Sequence, residues 1–281
     1  MEARAECQRA DWTPRHKAEC KAWRAEADAA VVAAGGCPLG DVKAQLAAIA
    51  KWGAPERSLA AIRAAAEGGD LAAQYSLGEC LYCGKRGAPQ DHAQALVWWR
   101  RSAASNVSLA QDNLGFMHQR GEGGLAVDLA EGARLHALAA AQGLASAQFN
   151  LGCCYSKCEG VPRDLVEAVR LYRLSAEQGY APAQANLANA YIKGDGVAVD
   201  YAEAMRWACL SADKGNAYGE YNVGFLYANG WGVPRDLRAA TIWFSRAVTQ
   251  GHEHAKKDLL RLASAGVPEA VTAVRRLRLA P

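Results

Sequence analysis

The sequence predicts an all-α solenoid of stacked helix-turn-helix repeats, and three observations carry that prediction. First, an Ala-Gln pair recurs at Ala73-Gln74, Ala110-Gln111, Ala147-Gln148 and Ala183-Gln184, with Gly219-Glu220 as its fifth copy, a period of 36–37 residues. Fixed periods of this size mark arrays whose units bury their apolar faces on one another. Second, an aliphatic-small pair follows each Gln position: Leu77-Gly78, Leu114-Gly115, Leu151-Gly152, Leu187-Ala188 and Val223-Gly224. Third, a glycine-rich link and then an acid close the first half of each copy. The link is clearest in Cys158-Glu159-Gly160-Val161, Gly194-Asp195-Gly196-Val197 and Gly230-Trp231-Gly232-Val233, and the acids are Asp91, Asp128, Asp164, Asp200 and Asp236. The first two copies carry one extra residue in the link.

Each copy reads as two helices. Helix A shows apolar residues at helical spacing, as in Ala183, Leu187 and Tyr191. The link stops it and supplies the positive-φ positions of a tight turn. The acid then caps helix B. Four copies complete a capping box with Glu or Gln three residues on: Asp91/Gln94, Asp128/Glu131, Asp164/Glu167 and Asp200/Glu203, whereas Asp236 is followed by Ala239. Helix B carries Ala and aromatic positions, as in Ala168, Leu171 and Tyr172, and ends near Gln-Gly. Gly or Ala at a helix crossing lets the backbones approach, and Tyr or Leu fills the flanking space.

Composition bounds the function. Apolar residues make up 51% of the chain and charged residues 22%, enough for a packed core. A net charge of +3 and a pI near 8.3 are too mild to argue for nucleic acid or an acidic membrane. No run of 18 apolar residues predicts a membrane span, and the N-terminus lacks the apolar region of a secretory signal. The 9 cysteines then read as reduced thiols in the cytoplasm or nucleus. Cys80-x-x-Cys83 has no second pair, and Cys153, Cys154 and Cys158 lie two repeats away, so neither group is expected to hold a metal. His92, His118, His136, His252 and His254 follow no catalytic spacing, and G-x-S-x-G and H-E-x-x-H are absent. No catalytic residue, cofactor or small-molecule substrate is expected.

The run Ala147-Gln148-Phe149-Asn150-Leu151-Gly152, continued by Tyr155, Gly160-Val161, Asp164 and Ala168, resembles the Sel-one-like repeat, a relative of the tetratricopeptide repeat. The tetratricopeptide period is about 34 residues with a different link, so the longer period favours the Sel-one-like form. The resemblance covers residues 69–251 as five repeats. Residues 55–68 read as the orphan helix B of a half-repeat, residues 25–54 as an Ala-rich helical segment and linker, and residues 252–281 as a degenerate capping repeat. The resemblance implies a right-handed superhelical solenoid whose A helices line a concave groove. It also implies a non-enzymatic scaffold or adaptor that binds peptide segments of other proteins. Secreted cysteine-rich members of the family, proposed to act on β-lactams, staple successive repeats with disulfides. Here Cys209 matches one staple position and Glu220 stands at its partner, so the staple is not expected.

On that groove the candidate peptide-binding residues form a column. Asn113, Asn150, Asn186 and Asn222 precede the Leu-Gly pairs, and positions three, four and seven residues on share their face: Phe116, Met117, Lys157, Asn189, Lys193, Phe225 and Asn229. Asn amides pair with an extended backbone, Lys suits an acidic segment, and Phe and Met give apolar pockets. The alternative is that the same Asn column makes hydrogen bonds that hold one repeat on the next.

Residues 1–24 resemble the C-terminal half of a MYND zinc finger, in Cys7-Gln8, Asp11-Trp12, His16-Lys17 and Cys20. By that resemblance Cys7, His16 and Cys20 are three of eight ligands. The fifth position is Ala3 and the first four would precede Met1, which makes the segment a relic or the start too late. A zinc-dependent nuclear regulator is the alternative this opens. Structural zinc needs four ligands, so the expectation for this chain is no cofactor, with zinc only if further ligands lie upstream. Metal analysis of the purified protein should give well below one zinc per chain, and a stoichiometric ion would overturn the ligand count.

Overall fold

The computed structural model describes Cys37 and residues 40–279. Among the described residues there are 14 α-helices and no strand. The described residues divide into two compact units, one ending at Asp164 and the other beginning at Leu165. The first holds α1 (Val42–Gly53), α2 (Leu59–Glu67), α3 (Leu71–Cys83), α4 (His92–Ala104), α5 (Ser108–Arg120), α6 (Leu129–Ala141) and α7 (Ala145–Lys157). The second holds α8 (Leu165–Glu177), α9 (Ala181–Lys193), α10 (Tyr201–Asp213), α11 (Ala217–Asn229), α12 (Leu237–Thr249), α13 (Glu253–Ser264) and α14 (Pro268–Arg276). Helices α3, α5, α7, α9 and α11 are the A helices of the five copies, and α4, α6, α8, α10 and α12 are their B helices.

The local signals act as the sequence predicts. Asp91, Asp128, Asp200 and Asp236 cap α4, α6, α10 and α12, each accepting a backbone N–H of the first turn at 2.8–3.0 Å. The capping box is corrected. Glu131 and Glu203 spend their carboxylates on Arg134 and Arg206, three residues on, because a guanidinium one turn away offers a charge-assisted pair. The A helices end on a left-handed residue: Gly84, Gly121, Gly194 and Gly230, with φ of 64–75°. In the third copy Cys158 takes that place at φ 59°. Cys158 is disulfide-bonded, which corrects the expectation of reduced thiols throughout. Cys80, Cys83, Cys154 and Cys209 are free thiols. Burial pushes the Cys154 thiol up to about 12.

Two close approaches set the packing. Within a copy, the Gly of the Leu-Gly pair lets an aromatic ring of helix B lie against helix A. A Cβ on Gly78 would sit 2.5 Å from the Trp99 ring, one on Gly115 2.7 Å from His136, and one on Gly224 2.7 Å from Phe244. Between copies, the second link glycine meets the first residue of the preceding helix B. A Cβ on Gly160 would sit 1.9 Å from the Leu129 carbonyl oxygen, and one on Gly196 2.2 Å from that of Leu165. The flanking Leu77, Leu187 and Leu226 are fully buried, each stabilising by about 1.5–3 kcal/mol.

The repeated Gln closes the junction between copies. Helices α5, α7 and α9 start on Val107, Leu144 and Tyr180, which make no side-chain cap. The side chains of Gln74, Gln148 and Gln184 donate back to the carbonyls of Ala66, Ala140 and Ala176, which also accept the turn N–H groups of Gly69, Gly143 and Gly179, so each amide ties its A helix to the end of the preceding helix; Gln111 bonds Asn106 instead.

Helix α1 belongs to the first unit's core. Its Ile49 shares one cluster with Tyr75, Trp99, Val107 and Leu135. Gln45 accepts from the Ser108 N–H and hydroxyl at 2.9 and 2.8 Å and donates to Gln142 at 3.1 Å. Arg86 donates to the Gly53 and Ala54 carbonyls at 2.8 and 2.9 Å, clasping the end of α1.

His252 caps α13, its Nδ1 accepting from the Ala255 N–H at 3.1 Å, and this needs the neutral ring. Burial, then the neighbouring His254, hold its pKa below the ordinary value. The unfolded chain therefore takes up this proton more readily than the folded one. The stabilisation is full above the ordinary His pKa and is lost as pH falls through the folded value. Replacing the cap without the titration, His252→Asn, should make the unfolding midpoint fall less than in wild type between pH 7 and 5. Equal falls would refute the assignment.

Gly160→Ala combines a positive φ with a backbone clash and should cost roughly 2–4 kcal/mol in urea unfolding. Gly124→Ala has φ 86° and open space around it, so it should cost only about 1 kcal/mol. Equal effects would mean that the contact between copies is not the constraint.

Candidate functional site

The helix-A face carries the candidate column, and its members divide. Asn113 donates to the Tyr75 hydroxyl at 3.3 Å, Asn150 to Asp112 at 2.9 Å and Asn222 to the Ala185 carbonyl at 2.9 Å. Each of these amides therefore reaches the preceding copy. Asn150 and Asn222 are buried, and Asn113, Asn186 and Asn189 half-buried. Phe116 is exposed. Lys157 and Lys193 are exposed at the ends of α7 and α9. Asn229 is exposed and folds its amide back on the Phe225 carbonyl at 2.7 Å. Met117 is corrected. It is fully buried with Leu114, Leu135 and Leu138, because its helical position turns inward rather than onto the open face.

In the second unit the face opens into a cavity of about 460 Å³ between α9, α11 and the turn before α13. It gathers Asn186, Asn189, Lys193, Asn222 and Phe225 from the predicted column. To these it adds Tyr218, Tyr221, Trp231, His252 and His254, which periodicity alone missed. The rings form a connected wall. Tyr221 stacks on His252 with centroids 4.6 Å apart, and Phe225 meets Trp231 edge-on at 5.5 Å. The Tyr221 hydroxyl donates to Asp258 at 3.2 Å. Burial, reinforced by that carboxylate, pushes its pKa up to about 12, so it stays a neutral donor. Trp231 had one legible signal: it stands in a link where the two preceding copies carry Glu159 and Asp195.

The first unit has a smaller counterpart of about 360 Å³, lined by Tyr75, Glu79, Tyr82, Trp99, Phe116 and Arg120 among others. Beside it lies a buried polar knot. Asp112 accepts from His136 Nδ1 at 2.6 Å, from the Ser146 hydroxyl at 2.7 Å and from Asn150. Ser, His and Asp thus meet, but Ser146 bonds the carboxylate and not the imidazole. No nucleophile–base pair forms, and His136 is fully buried. The knot joins the second copy to the third.

Cys7, His16 and Cys20 lie outside the described residues. Among those described, no cluster of His, Cys, Asp or Glu is placed to hold a metal. No described helix is long and apolar enough to cross a membrane.

Comparison with known proteins agrees with the repeat. The Sel1 repeat family matches residues 71–107, 108–144, 145–180, 181–216 and 217–252. The matched residues begin after the segment that resembles a MYND finger, for which they give no support. Comparison with curated proteins finds no match. Among solved structures, a protective antigen of uropathogenic Escherichia coli with this repeat fold is 34% identical, with a TM-score of 0.68 over 78% of this chain. The chain spans 47% of that antigen's length. A Sel1 repeat protein from Oxalobacter formigenes is 25% identical, with a TM-score of 0.66, and the match covers 74% of this chain and 84% of that one. Five consecutive matched repeats, with the glycine contacts and junction glutamines that stack them, make this chain a member of the Sel1 repeat family.

Proposed function

We propose that this chain is a non-enzymatic adaptor that binds extended segments of partner proteins on its helix-A face. Sel1 repeat proteins in general are protein-interaction scaffolds and are typically non-catalytic. The observation that carries the finer reading is the second unit's cavity, where aromatic rings, Asn amides and Lys193 converge on one open face. Aromatic rings supply anchoring area, and amides supply donors and acceptors for a main chain. The cavity gathers no carboxylate pair, nucleophile–base pair or phosphate cradle that would argue for chemistry.

Affinity capture from the native cell tests this with three proteins: wild type, Phe116→Arg with Asn189→Arg on the helix-A face, and Val166→Arg with Ile242→Arg, which are exposed positions on the B helices. Partners lost only in the first variant, with both variants folded, support the reading. Partners lost only in the second would move binding to the B helices and overturn it.

A further inference from the structure

We propose that the second unit's cavity is a pocket for one aromatic side chain of a partner segment, with an acidic side chain beside it in sequence. This rests on the peptide-binding reading above and names what the face selects.

The walls are ring faces held in place. Tyr221 is fixed from behind by Asp258 and in front by His252, with which its ring stacks at an interplanar angle of 24°. Trp231 is pinned by Tyr201, stacked at 4.8 Å, and turns its edge geometry to Phe225 at 77°. Tyr218 remains 62% exposed at the mouth, edge-on to His252 at 4.7 Å. A guest ring finds both stacked and edge-on partners already ordered, so little freedom is lost when it enters.

Charge picks the neighbour. Among the described residues Lys193 is the one fixed cation in the lining, and none of them contributes a carboxylate. Among the described residues Lys193 makes no ion pair and Asn189 makes no hydrogen bond. An acidic side chain answers the first and a peptide group the second. A cationic guest would be repelled by Lys193, with only the ring faces to attract it. The first unit's cavity is an internal contrast: it has rings too, but Glu79 and Arg120 line it together, so it favours neither sign.

The test is selection of a phage-displayed random decapeptide library on the purified full chain, followed by titration of the enriched peptides. The expected consensus is Trp, Phe or Tyr next to Asp or Glu. Phe225→Ala should weaken the enriched peptide at least tenfold. Tyr218→Ser, at an exposed position that leaves the fold intact, should weaken it several-fold, and Lys193→Glu should shift selection toward Lys or Arg neighbours. Enriched peptides without an aromatic residue, or affinity unmoved by Tyr218→Ser and Phe225→Ala in folded protein, would overturn the pocket. Peptides released by Phe116→Arg but not by Phe225→Ala would sink the pocket and leave the broader reading standing. No enrichment from the library would sink both.

Discussion

Backbone touches backbone wherever one copy stacks on the next, and the rest of the structure follows from that contact. At Gly160 and Gly196 the approach to the preceding helix B leaves no room for a Cβ. The contact fixes the distance between copies, and the distance fixes the rest. It is short enough for Gln148 and Gln184 to reach carbonyls eight residues back. It also lets Asn150 and Asn222 bridge from one A helix to the one before. A side chain between the backbones would hold these amides out of reach, and their buried partners would lose their hydrogen bonds.

Within each copy the same economy operates between a small residue and a ring. Trp99, His136 and Phe244 occupy one register position of helix B, against Gly78, Gly115 and Gly224. The fourth copy changes both sides. Ala188 replaces the glycine, Ala208 stands at the ring's position, and both are fully buried. Small faces large in three copies, and small meets small in the fourth. The fourth copy therefore places less side-chain volume at this crossing than the other three, and both of its alanines are still fully buried.

The fold was legible because these constraints are local and repeat: the acid recurs at a fixed offset in all five copies, and the glutamine and the Leu-Gly glycine each in four. The site was less legible because it depends on departures from the pattern. Phe225 and Asn189 lie on the helical face where periodicity puts them, but Met117, one residue beyond Phe116, turns into the core. The Asn column fitted two roles on spacing, and only the hydrogen-bond partners of Asn113, Asn150 and Asn222 show the amides reaching back across the stack. Trp231 sits in a link, His252 and His254 in a degenerate copy, and no helical period could bring them to Tyr221. The packing of α1 was hidden for a similar reason: Gln45 and Arg86 act across long sequence distances.

The knot around Asp112 gives the array an address. Its carboxylate is satisfied by His136 from its own copy and by Ser146 and Asn150 from the next. The fourth copy has Pro182 where the third has Ser146. Placed after the second copy, it would offer no hydroxyl and leave a buried carboxylate oxygen unpaired. Copies that look interchangeable by their glycines are therefore not interchangeable by their polar contacts. The order of the second and third is written into the chain, and duplication or shuffling of single repeats at that junction is closed off.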